Sequence, residues 1–289
     1  MLLGRLHMEA GVAETEHEEA RNAFISAKKE FEEARKAFTE MGDQTGQGFC
    51  LASFDDIRER IAAYLNAFVD KAPCVRWLGD AHTMLNETEE AKQCYMDALS
   101  LYRGGAADIE DGEVLCQMRL GGFLVDAKDY SGALVLYEEA SKLYAKAGDH
   151  SKQAEFLYES GELQKSLEKY EEASSCFEKA LGLYSSKGDK LGQAKCLRGL
   201  ADVHVQRQQL DDAIHKYNDA LKLCEGTDPS DDLAATYWGI GEACVEGGRR
   251  DDAVRWMEKA AELYESIGEA DQAQQARNRA EEWRRDMRG

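Results

Sequence analysis

The chain has 289 residues, with 56 acidic against 36 basic side chains and a formal net charge of −20. So acidic a surface repels phosphate backbones and anionic lipid headgroups, which excludes nucleic acid and membrane surfaces as expected partners. No apolar run approaches the ~20 residues that cross a bilayer. The N-terminus also lacks the pattern of a secretory signal peptide, so we expect a cytoplasmic protein.

Composition favours helices, because only two prolines occur and the chain is rich in Ala, Leu, Glu, Lys and Gln. The eight cysteines are widely spaced and include no C-x-x-C pair. Without a secretion signal, we expect them to be reduced thiols that pack as small hydrophobic side chains.

One pattern recurs five times: an alanine, then an aromatic residue or methionine four positions later and a second alanine seven positions later. The first alanines lie 42, 40, 40 and 40 residues apart, at Ala91, Ala133, Ala173, Ala213 and Ala253. Offsets of four and seven share one helical face, where small residues allow close approach of a second helix. The period therefore predicts helical hairpins that must stack to bury their apolar faces.

Turn signals separate the predicted hairpins, as at Gly148-Asp149, Gly188-Asp189 and Gly268-Glu269. Glycine suits a left-handed helix stop, and the acid leads into the next helix. We predict one all-α domain over 1–289 without strands, containing seven hairpins. Residues 1–72 form atypical N-terminal repeats, including a degenerate one at 46–70; 73–267 form regular repeats and 268–289 a capping helix.

Small residues at repeat positions 8, 20 and 27 with an aromatic residue at 24 resemble the tetratricopeptide repeat. The period of 40 residues is similar to its long-helix branch, which includes LGN-type spindle-orientation adaptors, kinesin light chains and receptor repeat arrays. The resemblance covers 73–267. It implies a right-handed superhelical solenoid of antiparallel helix hairpins that serves as a protein-interaction scaffold.

The resemblance places the partner-binding groove on the first helix of each hairpin. Position 9 of that helix is acidic in most repeats, and position 5 carries cations or aromatic rings: the first group is Asp56, Asp80, Glu162, Asp202 and Glu242, and the second includes Arg76, Tyr158, Arg198 and Trp238. Positions 5 and 9 are i,i+4 neighbours, so Arg76–Asp80 and Arg198–Asp202 are placed to pair. Either the face is a solvated, self-neutralised surface, or its acids and the rings of Trp77, Tyr158 and Trp238 bind a basic or amphipathic peptide.

The chemistry of the sequence points to no enzyme. It has no phosphate-binding loop, nucleophile elbow, H-E-x-x-H helix or dinucleotide fingerprint, so we predict no catalytic residue, cofactor or metal site. The favoured hypothesis is an adaptor that binds a protein or peptide in its groove, with self-association through the array ends as a further option. The alternatives are the ligand-sensing array of a larger NLR-type receptor, suggested by a first helix that lacks its opening turns at Met1, and an enzyme with a deep pocket.

Overall fold

The computed structural model describes residues 72–84, 86–104, 109–224 and 230–287. Eleven α-helices and no strand occur within these ranges. They are α1 (Ala72–Met84), α2 (Thr88–Arg103), α3 (Ile109–Asp126), α4 (Tyr130–Ala147), α5 (His150–Ser166), α6 (Tyr170–Lys187), α7 (Lys190–Gln206), α8 (Leu210–Leu223), α9 (Asp231–Glu246), α10 (Arg250–Ser266) and α11 (Ala270–Asp286). The first two predicted repeats lie outside the described residues.

The chain forms two compact units, Met1–Ala127 and Lys128–Gly289. In the first unit α2 packs on both α1 and α3. In the second unit each helix from α4 to α10 packs on its successor, and α7 also touches α5 and α9. Contacts between sequence neighbours are the mark of a helical solenoid. The predicted all-α, tetratricopeptide-like class is therefore confirmed, while the single-domain organisation stays a prediction.

The predicted register of the hairpins is also confirmed. Its five marker alanines fall on the second helices α2, α4, α6, α8 and α10, and none of them is exposed. The second alanines of the motif, Ala180 and Ala220, are likewise fully buried. Ala180 clusters with Ala154 of α5 and Cys196 of α7, so α6 touches both neighbouring first helices through this small side chain.

The aromatic residue of the motif fills the space that these small residues leave. The ring of Phe177 lies against two glycines, where an added Cβ would come within 2.7 Å of the ring at Gly161 and 2.8 Å at Gly199. Gly161 belongs to the same hairpin and Gly199 to the next one. Tyr217 repeats the arrangement against Gly239, at 2.6 Å. Only a glycine permits such an approach of backbone and ring, so this contact sets the spacing of the first helices.

Turns between hairpins follow the predicted chemistry. Gly148 and Gly188 end their helices in the left-handed conformation, with φ of 75° and 71°. The side chains of Asp149 and Asp189 then accept hydrogen bonds from the backbone N–H groups of Lys152 and Gly192, three residues further on. These aspartates cap the N-termini of α5 and α7 and so fix where each first helix begins.

Helix α11 covers the end of the second unit. Its buried face consists of Ala273, Ala276, Ala280 and Trp283. Two arginines tie it to α10, since Arg277 pairs with Glu265 and Arg284 with Glu258. Most of its exposed positions carry polar side chains, as expected of a helix that ends a repeat array.

We predict opposite effects of alanine at two glycines. Gly199→Ala forces a methyl group into the Phe177 ring and should lower the free energy of unfolding, since overpacking costs about 1–3 kcal/mol. Gly182→Ala, at an exposed site within α6 with nothing within 4 Å of its Cβ, should raise stability by about 0.5–1 kcal/mol. Urea denaturation followed by circular dichroism measures both. Equal midpoints for the two variants would mean that the ring contact does not govern helix spacing.

Candidate functional site

The first helices α5, α7 and α9 of the second unit line an open groove of about 610 Å³. Its walls are Lys165, Ser166, Glu168, Tyr170, Asp202, Val205, Gln206, Tyr217, Gly239, Glu242 and Glu246. Four of these side chains are carboxylates and one is a cation. Two of the predicted groove residues, Asp202 and Glu242, belong to this lining.

Asp202 is held from two directions. The hydroxyl of Tyr217 donates to Oδ1 at 2.5 Å, and Lys165 Nζ lies 2.8 Å from Oδ2. Burial of the Tyr217 phenol, and then the negative charge of Asp202, raise the pKa of Tyr217 far above its usual value. The phenol therefore stays protonated and keeps donating, which fixes the carboxylate in the groove.

Lys165 joins two hairpins. Its ammonium lies 2.8 Å from Glu162 Oε2 on its own helix and 2.8 Å from Asp202 on α7. Burial by itself would lower the pKa of Lys165, but the charges of Asp202 and Glu162 raise it above the usual value. The Lys165 ammonium consequently keeps its charge throughout the neutral range.

Glu242 receives its cation from the C-terminal helix. Arg279 of α11 donates from Nε to Oε1 at 3.1 Å and from Nη2 to Oε2 at 3.4 Å. Two parallel N–H donors to one carboxylate make the geometry in which guanidinium binds such groups best. The capping helix therefore neutralises the last position-9 acid of the groove.

The position-5 side chains form a second row of contacts, with one correction to the sequence prediction. Arg198 donates from Nη2 to the Tyr158 hydroxyl at 3.2 Å and to Asp232 Oδ1 at 3.1 Å. The predicted Arg198–Asp202 pair is thus replaced by contacts to the hairpins before and after α7. Asp232 and Tyr158 lie 34 and 40 residues from Arg198 in the sequence, but they replace Asp202 as its partners because the first helices lie side by side. Trp238 of α9 is half-buried and packs against the core of the last hairpins.

In the first unit, Arg76 and Asp80 form the predicted i,i+4 pair, with Nη1 and Oδ2 3.2 Å apart. Asp80 is buried and also accepts a hydrogen bond from the Tyr95 hydroxyl at 2.7 Å. The expectation that Trp77 is an accessible anchor is wrong, because only 5% of this residue is exposed and its ring is part of the core. Asp56 lies outside the described residues.

Most of the predicted acids therefore carry an internal cation, and the exposed carboxylates of the groove are two that the sequence reasoning missed. Glu168 follows α5 in the turn of its hairpin, at a φ of 59°, and Glu246 is the last residue of α9. Both are exposed. Both residues lie at or beside the turn of their hairpins, outside the set that the resemblance assigns to the groove, and they occupy different repeat positions, so the repeat pattern gave no signal for them.

The described part of the chain contains no cluster of metal-binding side chains, and its buried thiols are poor candidates for reactive groups. No group of three or more His, Cys, Asp or Glu side chains there is placed to hold a metal ion. Among its thiols, Cys196 is fully buried, and burial raises the pKa of this thiol to about 12, which keeps it protonated and unreactive. None of the helices in these ranges is both long and apolar enough to traverse a bilayer.

Comparison with known families finds three matches along the chain. Models of the tetratricopeptide repeat match residues 77–104 and 192–266, and the model of the soluble NSF attachment protein matches residues 124–228. No curated protein matches the chain significantly.

Solved structures with the same fold are similar over most of the chain. BtubC of P. vanneervenii is 17% identical with a TM-score of 0.52, covering 93% of this chain and 92% of its own. A putative kinesin light chain of Podosopora anserina with TPR-like repeats is 12% identical with a TM-score of 0.56, covering 68% and 96%. Aspartyl phosphate phosphatase F of Bacillus subtilis is 14% identical with a TM-score of 0.57, covering 91% and 72%.

We predict that Tyr217→Phe lowers the free energy of unfolding by about 1.5–3 kcal/mol, the range for a hydrogen bond to a charged acceptor. The change removes the donor to Asp202 without removing the ring from the core. Tyr237→Phe is the matched control, because the ring of Tyr237 stacks on Trp256 and is half-buried. Urea denaturation measures the free energy of unfolding of both variants. An equal decrease in the two would show that the hydrogen bond to Asp202 does not contribute to stability.

Proposed function

This chain is a tetratricopeptide-repeat protein, and we propose that it works as a protein-binding adaptor that takes a basic, amphipathic segment of its partner into the groove between α5, α7 and α9. The observation that carries the proposal is the lining of this groove, in which four carboxylates meet one lysine. The proposal assigns the chain no catalytic step, cofactor or metal.

The groove offers two kinds of surface side by side. The half-buried ring of Tyr170 supplies apolar area, and Glu168 and Glu246 supply exposed carboxylates at one edge. An amphipathic helix could place its apolar side on this ring and its lysines or arginines against the two carboxylates. The overall charge of −20 would speed the approach of such a segment and hold off acidic competitors.

The position-9 acids contribute less to this attraction than the sequence indicated. Asp202 and Glu242 are paired with Lys165 and Arg279, so their charge is largely compensated within the protein. Glu168 and Glu246 are therefore the residues through which the groove would select a cationic partner. They are also suited to mutation, because both side chains are exposed and lie away from the core.

We predict that the double variant Glu168→Lys, Glu246→Lys binds a cationic amphipathic peptide at least about tenfold more weakly than the wild type, a loss of ~1.4 kcal/mol. The probe is a fluorescein-labelled helix with leucine on one side and lysine on the other, titrated in fluorescence anisotropy. A peptide with glutamate in place of lysine should not bind. Raising the salt concentration should weaken wild-type binding, since exposed charges are screened over ~10 Å at 0.1 M.

The matched control is Glu178→Lys, Glu262→Lys, which carries the same net charge but places the lysines on exposed positions of the second helices α6 and α10. Its affinity should stay close to that of the wild type. An equal loss in both double variants would mean that the peptide responds to overall charge and not to the groove. Absence of binding to the wild type at low salt would refute the proposal outright.

A second candidate is favoured by the family match at residues 124–228. That family is named for the attachment of NSF, so the chain is a candidate for an adaptor that recruits NSF. Incubation of the immobilised chain with purified NSF tests it directly, with the groove variant as a second bait. Retention of NSF by both baits would assign recruitment to another surface of the repeats.

A further inference from the structure

Lys165, which lines the groove from α5, occupies a position that other repeats fill differently. Residues 40 apart in this register are Val125, Lys165, Val205 and Val245, so a charged side chain stands at 165 where three repeats have valine. Valine at 205 is buried and completes the hairpin packing. The fold therefore accepts a small apolar residue here, and the lysine adds something that stacking alone does not require.

What the lysine adds is a complete binding arrangement for one ammonium group. Nζ lies 2.8 Å from both Asp202 Oδ2 and Glu162 Oε2, and the side chain is 19% exposed. The other oxygen of Asp202 is fixed by Tyr217. Two carboxylates that converge on one cation, with a phenol to orient one of them, form the kind of subsite that a lysine or arginine of a ligand would use.

Lys165 is also able to leave this subsite. A lysine carries its charge on a flexible four-carbon stem with three equivalent donors, and Lys165 borders open space in the groove. Its ammonium would remain well solvated after such a movement, since the groove is open to water. A cation of a bound peptide could thus take its place between Glu162 and Asp202 without leaving either carboxylate unpaired.

We propose that Lys165 is a built-in competitor of the partner: its ammonium occupies the Glu162–Asp202 subsite until a lysine or arginine of the bound segment displaces it. This inference rests on the proposed function of the groove and deepens it, because it names the contact that limits the affinity. The Glu162–Asp202 subsite would in this way keep a cation when the groove is empty, and it would reject segments without a cation at the matching place.

The first test compares three variants of the full chain with the lysine-bearing peptide described above. Lys165→Gln should bind about two- to fivefold more tightly than the wild type, because its neutral amide gives up the internal ion pair and frees the subsite. Lys165→Arg keeps the internal cation and should bind like the wild type. Lys195→Gln is the matched control, because it removes the same charge and a bridge of 3.2 Å to Asp232 that lies outside the groove lining.

The second test follows the ammonium of the wild type itself, so it does not depend on how well a variant folds. Lysine side-chain ¹H–¹⁵N correlation spectra should show a protected signal for Lys165 that exchanges faster once the peptide is bound. The Lys195 signal should stay unchanged. A Lys165 signal that remains protected in the saturated complex would overturn the inference.

The outcomes separate the inference from the proposed function. Binding to the wild type with no gain in Lys165→Gln beyond that in Lys195→Gln overturns the inference and leaves the groove proposal standing. Weaker binding by Lys165→Gln does the same, since it would make Lys165 an organiser of the groove. Failure of both the wild type and Lys165→Gln to bind refutes the groove proposal itself.

Discussion

The contact between one aromatic ring and two glycine backbones governs this structure. Phe177 sits between Gly161 of its own hairpin and Gly199 of the next, at distances that leave no space for a side chain on either helix. The ring of Phe177 therefore holds two successive first helices at a close separation. Because packed interiors tolerate few voids, that separation is repeated wherever the ring and the small residues recur. The regular spacing of these aromatic and small residues in the sequence therefore reflects the packing of the ring between neighbouring helices.

Close first helices bring side chains of successive repeats within hydrogen-bonding reach. Tyr158 meets Arg198 across 40 residues, and Lys165 meets Asp202 across 37. A carboxylate at position 9 thus takes its cation from its own helix, as Glu162 does, or from a neighbouring first helix, as Asp202 does. An array whose acids all faced water at this spacing would repel itself, so the cations that pair them also allow the hairpins to stack.

The sequence was sufficient for the fold because its signals are short-range. The alanine motif places Ala91 and Ala253 on second helices, and the Gly148-Asp149 turn reads as a helix stop followed by a cap, each within a few residues. The partners of long side chains could not be predicted in this way. The pairing of Arg198 with Asp232 depends on the angle between hairpins and on competing rotamers, neither of which is encoded by spacing along one helix. Trp77 was misjudged for the same reason, since its burial depends on the neighbouring helices.

Two tyrosines of the repeat motif pack in the core and also donate a hydrogen bond to a position-9 acid: Tyr95 to Asp80 and Tyr217 to Asp202. Phe177 and Tyr217 occupy the same register and fill the same kind of space, but only the tyrosine reaches a carboxylate, Asp202, with its hydroxyl. A phenol on a ring that packing already immobilises loses little further entropy when it donates. It can therefore orient a carboxylate at the groove surface from within the core. Where the register carries Phe177, the neighbouring acid Glu162 has no such support and turns to Lys165. Lys165 thus lies between one carboxylate that a phenol holds, Asp202, and one without such a donor, Glu162. In the proposed binding mode this asymmetry would give the partner's cation a preferred place.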